Sequence, residues 1–242
     1  MAKKKLKRFK ENEAFPHVIE PKFIDLKQNN FQLKGLWSSD FFENNNPIIL
    51  ELGCGKGEYT VGLAQENKSK NYIGVDIKGA RLWRGAKTAF EAKMKHVAFL
   101  RTRVDFIDFC FGENEVSEIW CTFSDPYLGH RKNIKKRLTS SSFLSKYQQI
   151  IKDKGLVHLK TDDPVLYAYT QDVIKHNDLK LIHDISDIYK KDYSKIVPPI
   201  KTFYEKMWLE ENRTIRYLCF ELPKYQQITE PPINEAREGF TN

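Results

Sequence analysis

Short apolar runs alternate with amphipathic segments along most of the 242-residue chain. An apolar run bounded by glycine or polar turns reads as a buried strand, and an apolar rhythm of 3.6 residues reads as a helix. This pattern predicts strands at 48–52, 72–76, 97–101, 118–123, 156–160, 179–185 and 214–221. Helices are predicted between them at 58–66, 78–93, 140–151, 164–176 and 202–211, with a helical turn near 106–111. Asp163 followed by Pro164 supplies an N-cap and a favoured first helical residue. Such alternation specifies an α/β fold, a mostly parallel, doubly wound sheet of seven strands with helices on both faces. The closing strand–helix–strand order fits a last strand that is antiparallel.

The alternation occupies residues 15–222 as a single domain without an internal repeat. Within it residues 15–42 are irregular, and Phe23, Phe31, Trp37, Phe41 and Phe42 are expected to pack this cover onto the sheet. Residues 1–14 read as a basic, disordered arm and residues 223–242 as a loose polar tail. No run approaches 18 apolar residues, so no transmembrane helix is expected. The N-terminus lacks the apolar region of a secretory signal. Cys54, Cys110, Cys121 and Cys219 form no C-x-x-C pair and read as reduced residues of a cytoplasmic protein. The six histidines are scattered, and no metal site is expected.

Charge placement adds a partner class. Net charge is +8, and residues 1–10 hold Lys3, Lys4, Lys5, Lys7, Arg8 and Lys10 with no acid, which leaves the remainder at +2. A second cluster, Arg131, Lys132, Lys135, Lys136 and Arg137, falls within seven positions. Both suit a phosphate backbone, and both also suit a solvated surface. Arg81, Arg84 and Lys87 give the helix at 78–93 a basic face with the same two readings.

Candidate chemistry sits at the predicted strand ends, where ligands bind in such sheets. Residues 47–57 read P-I-I-L-E-L-G-C-G-K-G, a strand entering a glycine loop. Gly53 and Gly55 let a ligand approach the backbone. The spacing is G-x-G-x-G, unlike the G-x-G-x-x-G dinucleotide fingerprint. Glu51 would repel a phosphate and welcome the cationic groups of S-adenosyl-L-methionine. Asp76, ending the next strand, suits ribose hydroxyls. Arg103, Val104, Asp125, Asp162 and Asp163 also fall at or just past strand ends. Ser124-Asp125-Pro126-Tyr127 is the sharpest of these, because proline stiffens the turn that carries the acid. Guanine N7 offers a lone pair without a proton, so its methylation needs no base. A carboxylate accepting from the guanine N1–H and amino group would stabilise the charge that develops. Asp125 suits that catalytic role, and also suits a plain turn cap.

These motifs together resemble the bacterial tRNA (guanine-N7)-methyltransferases of the TrmB type over residues 15–222. The resemblance rests on E-L-G-C-G-K-G, V-D-I-K-G-A-R at 75–81, S-D-P-Y at 124–127, K-K-R-L-T at 135–139, H-L-K-T-D at 158–162 and T-F-Y-E at 202–205. It implies a Rossmann-like class I methyltransferase fold and methyl transfer from adenosylmethionine to a guanine of the tRNA variable loop. Glu51, Asp76 and Asp125 would line the cofactor and reaction centre. Asp162, Thr202, Phe203, Tyr204 and Glu205 would touch tRNA. Arg103 stands where the family has Asp or Asn on the adenine side. Gly129 stands where it has a substrate lysine, which makes Arg131 or Lys132 the stand-in. The Ser-Asp-Pro-Tyr motif also resembles the Pro-Pro-aromatic motif of adenine amino-methyltransferases but lacks its second proline. A tRNA-binding relative without catalysis would not need Glu51, Asp76 and Asp125. The chain is expected to act as a monomer or a homodimer.

Overall fold

A computed structural model describes residues 2–239. The chain opens with helix α1 (Ala2–Ala14), strand β1 (Val18–Ile19) and helix α2 (Phe23–Lys27). The alternation then runs β2 (Ile48–Leu52), α3 (Glu58–Glu66), β3 (Asn71–Val75), α4 (Gly79–Glu91) and β4 (Val97–Leu100). It continues with α5 (Ile107–Cys110), β5 (Val116–Thr122), α6 (Ser141–Ile150), β6 (Ile151–Thr161), α7 (Pro164–His176) and β7 (Leu181–Ile185). Helix α8 (Phe203–Glu210), strand β8 (Arg216–Leu222) and the short α9 (Glu235–Glu238) complete it.

One sheet has the order β1-β4-β3-β2-β5-β6-β8-β7. The pairings from β1 through β6 are parallel, and β8 lies antiparallel to both β6 and β7. The antiparallel insertion of the last strand agrees with the sequence pattern. The sheet has eight strands where seven were expected. The addition is β1, two residues long, which pairs with β4. Alternation along β2 sends Ile48, Leu50 and Leu52 to one core and Ile49 to the other. Helices α6 and α7 cover the first core, and α3 and α4 cover the second. Glu51 alternates onto the α3 side. Among the described residues no helix is long and apolar enough to cross a membrane.

Three segments depart from the sequence reading. The basic arm expected to be disordered is helix α1, docked on α4. The buried Asn12 donates Nδ2–H to the Gly79 carbonyl at 3.0 Å, and Trp83 donates Nε1–H to Glu11 at 2.5 Å. Those anchors are single residues hidden in a lysine-rich run. The tail expected to be loose is fastened as well. Gln148 donates to the carbonyls of Pro223 and Gln226 at 2.6 and 2.7 Å, and Asn177 donates to that of Thr229 at 2.9 Å. The irregular cover at 15–42 is centred on Trp37, which is fully buried against Phe111 and donates its indole N–H to the Cys110 carbonyl. Phe23, placed with it by the sequence reading, is half exposed.

Candidate active site

The parallel strands β2, β3, β5 and β6 end at one edge, and the loops that follow them enclose a cleft of about 440 Å³. Glu51, Gly53, Gly55 and Asp76 line one side, with Lys78 and Arg81. Asp125, Asp162, Thr202 and Tyr204 line the other, with Trp208 and Arg213. The fold therefore brings eight of the sequence-predicted site residues around one space.

Glu51 is 3% exposed and accepts hydrogen bonds from the Thr60 N–H (2.8 Å), the Thr60 hydroxyl and the Thr122 hydroxyl (2.6 Å). Burial pushes its carboxyl up to about 7, against the pull of these donors. The loop is tied to the end of β3, since Gly53 and Cys54 both donate N–H to the Val75 carbonyl at 2.8 and 3.0 Å. Asp76 closes the loop from the other side, with Oδ2 accepting the Gly55 N–H at 2.8 Å and Oδ1 accepting the Lys78 N–H at 2.7 Å. Gly53 and Gly55 have φ of 74° and 56°, which favours glycine. A Cβ at either would meet nothing nearer than 4.0 Å, so packing does not exclude a side chain there. The left-handed conformation is what favours glycine there.

Asp125 is exposed, three residues past the end of β5. Its Oδ1 accepts the Tyr127 N–H at 2.8 Å, so it does cap its own turn while facing the cleft. Phe123 and Tyr127 flank it with φ of 51° and 50°, a left-handed conformation that is unfavourable for large side chains. The Ser124 hydroxyl beside the cleft is buried without a partner.

The T-F-Y-E run divides its work. Thr202 caps α8 by accepting the Glu205 N–H, and Tyr204 faces the cleft. Phe203 donates its N–H to Glu58 at 2.9 Å and lies under the Lys56 ammonium, 3.6 Å from the ring centre. Glu205 is fully buried, 2.9 Å from the ammonium of Lys160, and accepts the Tyr189 hydroxyl at 2.8 Å. It holds α8 to β6 and does not line the cleft. Asp162 does line it, and pairs with Arg213 at 2.9 Å.

The structure does not bring the remaining predicted residues to the cleft. Arg103 turns outward to Asp105 at 2.9 Å, and Val104 begins a 3₁₀ turn beyond β4. Arg131 and Lys132 stand on an exposed 3₁₀ turn after Asp125. Arg137, grouped with them as a basic cluster, is fully buried. Sequence reasoning missed Trp208 and Arg213. Trp208 follows Tyr204 by four positions on α8, a helical spacing that put both on one face, and Arg213 lies over its ring at 3.9 Å.

Comparison with known proteins accounts for this arrangement. Residues 45–218 match the Methyltransf_4 family model, described as "Putative methyltransferase". A 16S rRNA methyltransferase, KamB, shares the fold with a TM-score of 0.57 at 12% identity, over 76% of this chain and 92% of its own. A tRNA (guanine-N(7)-)-methyltransferase of Christiangramia forsetii is 50% identical over 91% of this chain and 99% of its own length. The one of Bacteroides fragilis is 46% identical over 99% of this chain and 94% of its own. Identity at that level along nearly the whole chain, on a class I methyltransferase fold with these residues around the cleft, means that the chain belongs to the tRNA (guanine-N7-)-methyltransferase family.

Proposed function

We propose that this protein methylates N7 of a guanine in the tRNA variable loop, with S-adenosylmethionine as donor. The observation that carries the reading is the cleft itself, where the Glu51–Asp76 loop faces Asp125 in a chain of this family. The residues present fit the donor. Two glycines leave open space, two carboxylates frame the loop, and the Ser124 hydroxyl has no protein partner.

Glu51, Gly53, Gly55 and Asp76 would hold the donor, which supplies an electrophilic methyl group when bound. The carboxyl of Glu51, poised near 7 by burial, ionises most readily opposite a positive charge. Asp125 accepts from the guanine N1–H and amino group, and its interaction strengthens as the ring gains charge. No residue need remove a proton, because N7 has none. Tyr204 and Trp208, with ring centres 6.4 Å apart and planes 25° apart, form the aromatic wall for a base splayed out of its loop. Asp162 and Thr202 offer polar groups beside it. The exposed Arg131 and Lys132 would take backbone phosphates on that side. On the other side a second groove of about 290 Å³, lined by Arg8, Lys56, Arg81 and Arg84, would carry the strand between α1 and α4. As a tRNA enzyme the protein works in the cytoplasm.

The test is nucleoside analysis of unmodified tRNA treated with the pure protein and labelled donor. The expected product is 7-methylguanosine in the variable loop. Label on an exocyclic amine would replace this reading with an amino-methyltransferase, and tight tRNA binding without transfer would mark a non-catalytic relative.

A further inference from the structure

Arg137 ends a run of cations whose other four members, Arg131, Lys132, Lys135 and Lys136, are exposed. Its own guanidinium is fully buried. Nη1 donates to Glu238 Oε1 at 3.0 Å and Nη2 to Glu238 Oε2, a bidentate pair between residues 101 positions apart. Nε donates to the Pro126 carbonyl at 2.7 Å, and the guanidinium lies 4.5 Å from the centre of the Tyr169 ring.

Pro126 directly follows Asp125, and the next N–H, that of Tyr127, holds the Asp125 carboxylate. The donors of a guanidinium lie in one rigid plane. Once Glu238 engages two of them, the direction of Nε–H is set, and it points at Pro126. Without Glu238, Arg137 would be an unpaired buried cation, which is strongly unfavourable. It would leave for solvent and release the carbonyl. The turn it fixes contains two left-handed residues, Phe123 and Tyr127, and such conformations persist only where the surroundings hold them.

We propose that α9 braces the reaction centre. Glu238, acting through Arg137 and the Pro126 carbonyl, sets the position of the Asp125 carboxylate. Glu238 and Arg137 are thus positioning residues, needed for the rate of methyl transfer and not for donor or tRNA affinity. The proposal rests on the reading that Asp125 serves the transfer.

The test uses the full chain in five forms: Arg137→Lys, Glu238→Gln, the swapped pair Arg137→Glu with Glu238→Arg, Glu230→Gln and Asp125→Ala. Each is measured for kcat, KM for tRNA, donor Kd and Tm. Arg137→Lys and Glu238→Gln should lower kcat on the order of 10²-fold, the cost of a small misplacement, and leave KM and donor Kd near the parent values. Glu238→Gln keeps the shape of the side chain and carries the test if Arg137→Lys does not fold. The swapped pair should recover Tm and not kcat, because a glutamate cannot donate to Pro126. Glu230 ties the same tail to Ser141 and to the hydroxyl of Tyr169, without replacing a partner in the Glu238–Arg137–Pro126 chain of bonds. Its replacement should lower Tm and leave kcat unchanged. The brace is overturned if Glu238→Gln keeps the parent kcat, if Glu230→Gln loses kcat equally, or if the swapped pair restores kcat in full. Activity retained in Asp125→Ala would instead overturn the reading of Asp125, and the brace with it.

Discussion

The two walls of the cleft treat buried charge in opposite ways. On the donor wall Glu51 is buried with hydroxyl and amide partners and, among the described residues, no ion pair, and burial drives its carboxyl up to about 7. On the acceptor wall the buried charges come as neutralised pairs, Lys160 with Glu205 and Arg137 with Glu238. A buried acid without a direct ion-pair partner leaves a place for a cation from outside. A buried pair has spent its charge inside the protein, so it shapes the wall and attracts nothing. If Glu51 holds the donor as proposed, the distinction separates a ligand-binding carboxylate from a structural one more sharply than their shared presence in family motifs does.

The largest effect should come from breaking a pair. Glu205→Ala leaves Lys160 buried beside the Ile200 carbonyl, with burial lowering its pKa and only the weaker pull of the Glu51 carboxylate left to oppose the fall. The loss should be about 3–5 kcal/mol of stability, read by denaturant unfolding. Donor affinity of the protein that stays folded should be unchanged. A loss of donor affinity matching the loss of stability would show that the walls are one unit and that the contrast is superficial.

The same contrast explains what the sequence made legible. The donor wall is built from bonds of short sequence reach. Thr60 to Glu51 spans nine positions and Gly55 to Asp76 spans 21, inside one β–α–β unit whose strand and glycine signals are local. Glu51, Gly53, Gly55 and Asp76 could therefore be placed from the pattern, as could the parallel sheet and the inserted last strand. The acceptor wall joins residues 45, 51 and 101 positions apart in Lys160–Glu205, Asp162–Arg213 and Arg137–Glu238. No local signal marks such partners. Arg137 looked like one more surface cation, and Glu238 like part of a loose tail. Helix α1 was misread for a related reason, since its lysines outnumber the single anchors Glu11 and Asn12.

A middle-sized effect tests Glu51 directly. Its folded-state carboxyl stands near 7, above the unfolded value of 4.5, so the folded protein binds the extra proton between those limits. The stability contribution is present below about pH 4.5 and is lost as pH rises through 7. Glu51→Gln should thus be more stable than the parent above pH 7, on the order of 2 kcal/mol, and the difference should vanish towards pH 4.5. Its donor affinity should fall and become flat with pH, where the parent's rises from pH 6 to 8 as the carboxylate forms. Equal donor affinity in parent and variant, measured by titration calorimetry, would remove the cation-binding role and leave Glu51 as a loop anchor.

The smallest effect concerns the groove between α1 and α4, which adjoins the donor wall yet is lined by the cations Arg8, Lys56, Arg81 and Arg84. Arg8 is partly committed inside the protein, because it donates to the Ala80 carbonyl at 3.2 Å and lies over Trp83. Arg84 is the cleaner probe. If the groove carries a tRNA backbone, Arg84→Ala should lower the slope of log K against log salt by about 1 and weaken all tRNAs alike. Arg8→Ala should do the same and lower Tm as well, since it also loosens α1. A slope unchanged in both would mean that α1 is held as scaffold and that tRNA is gripped from the acceptor side. The asymmetry between the walls would then extend from buried charge to exposed charge.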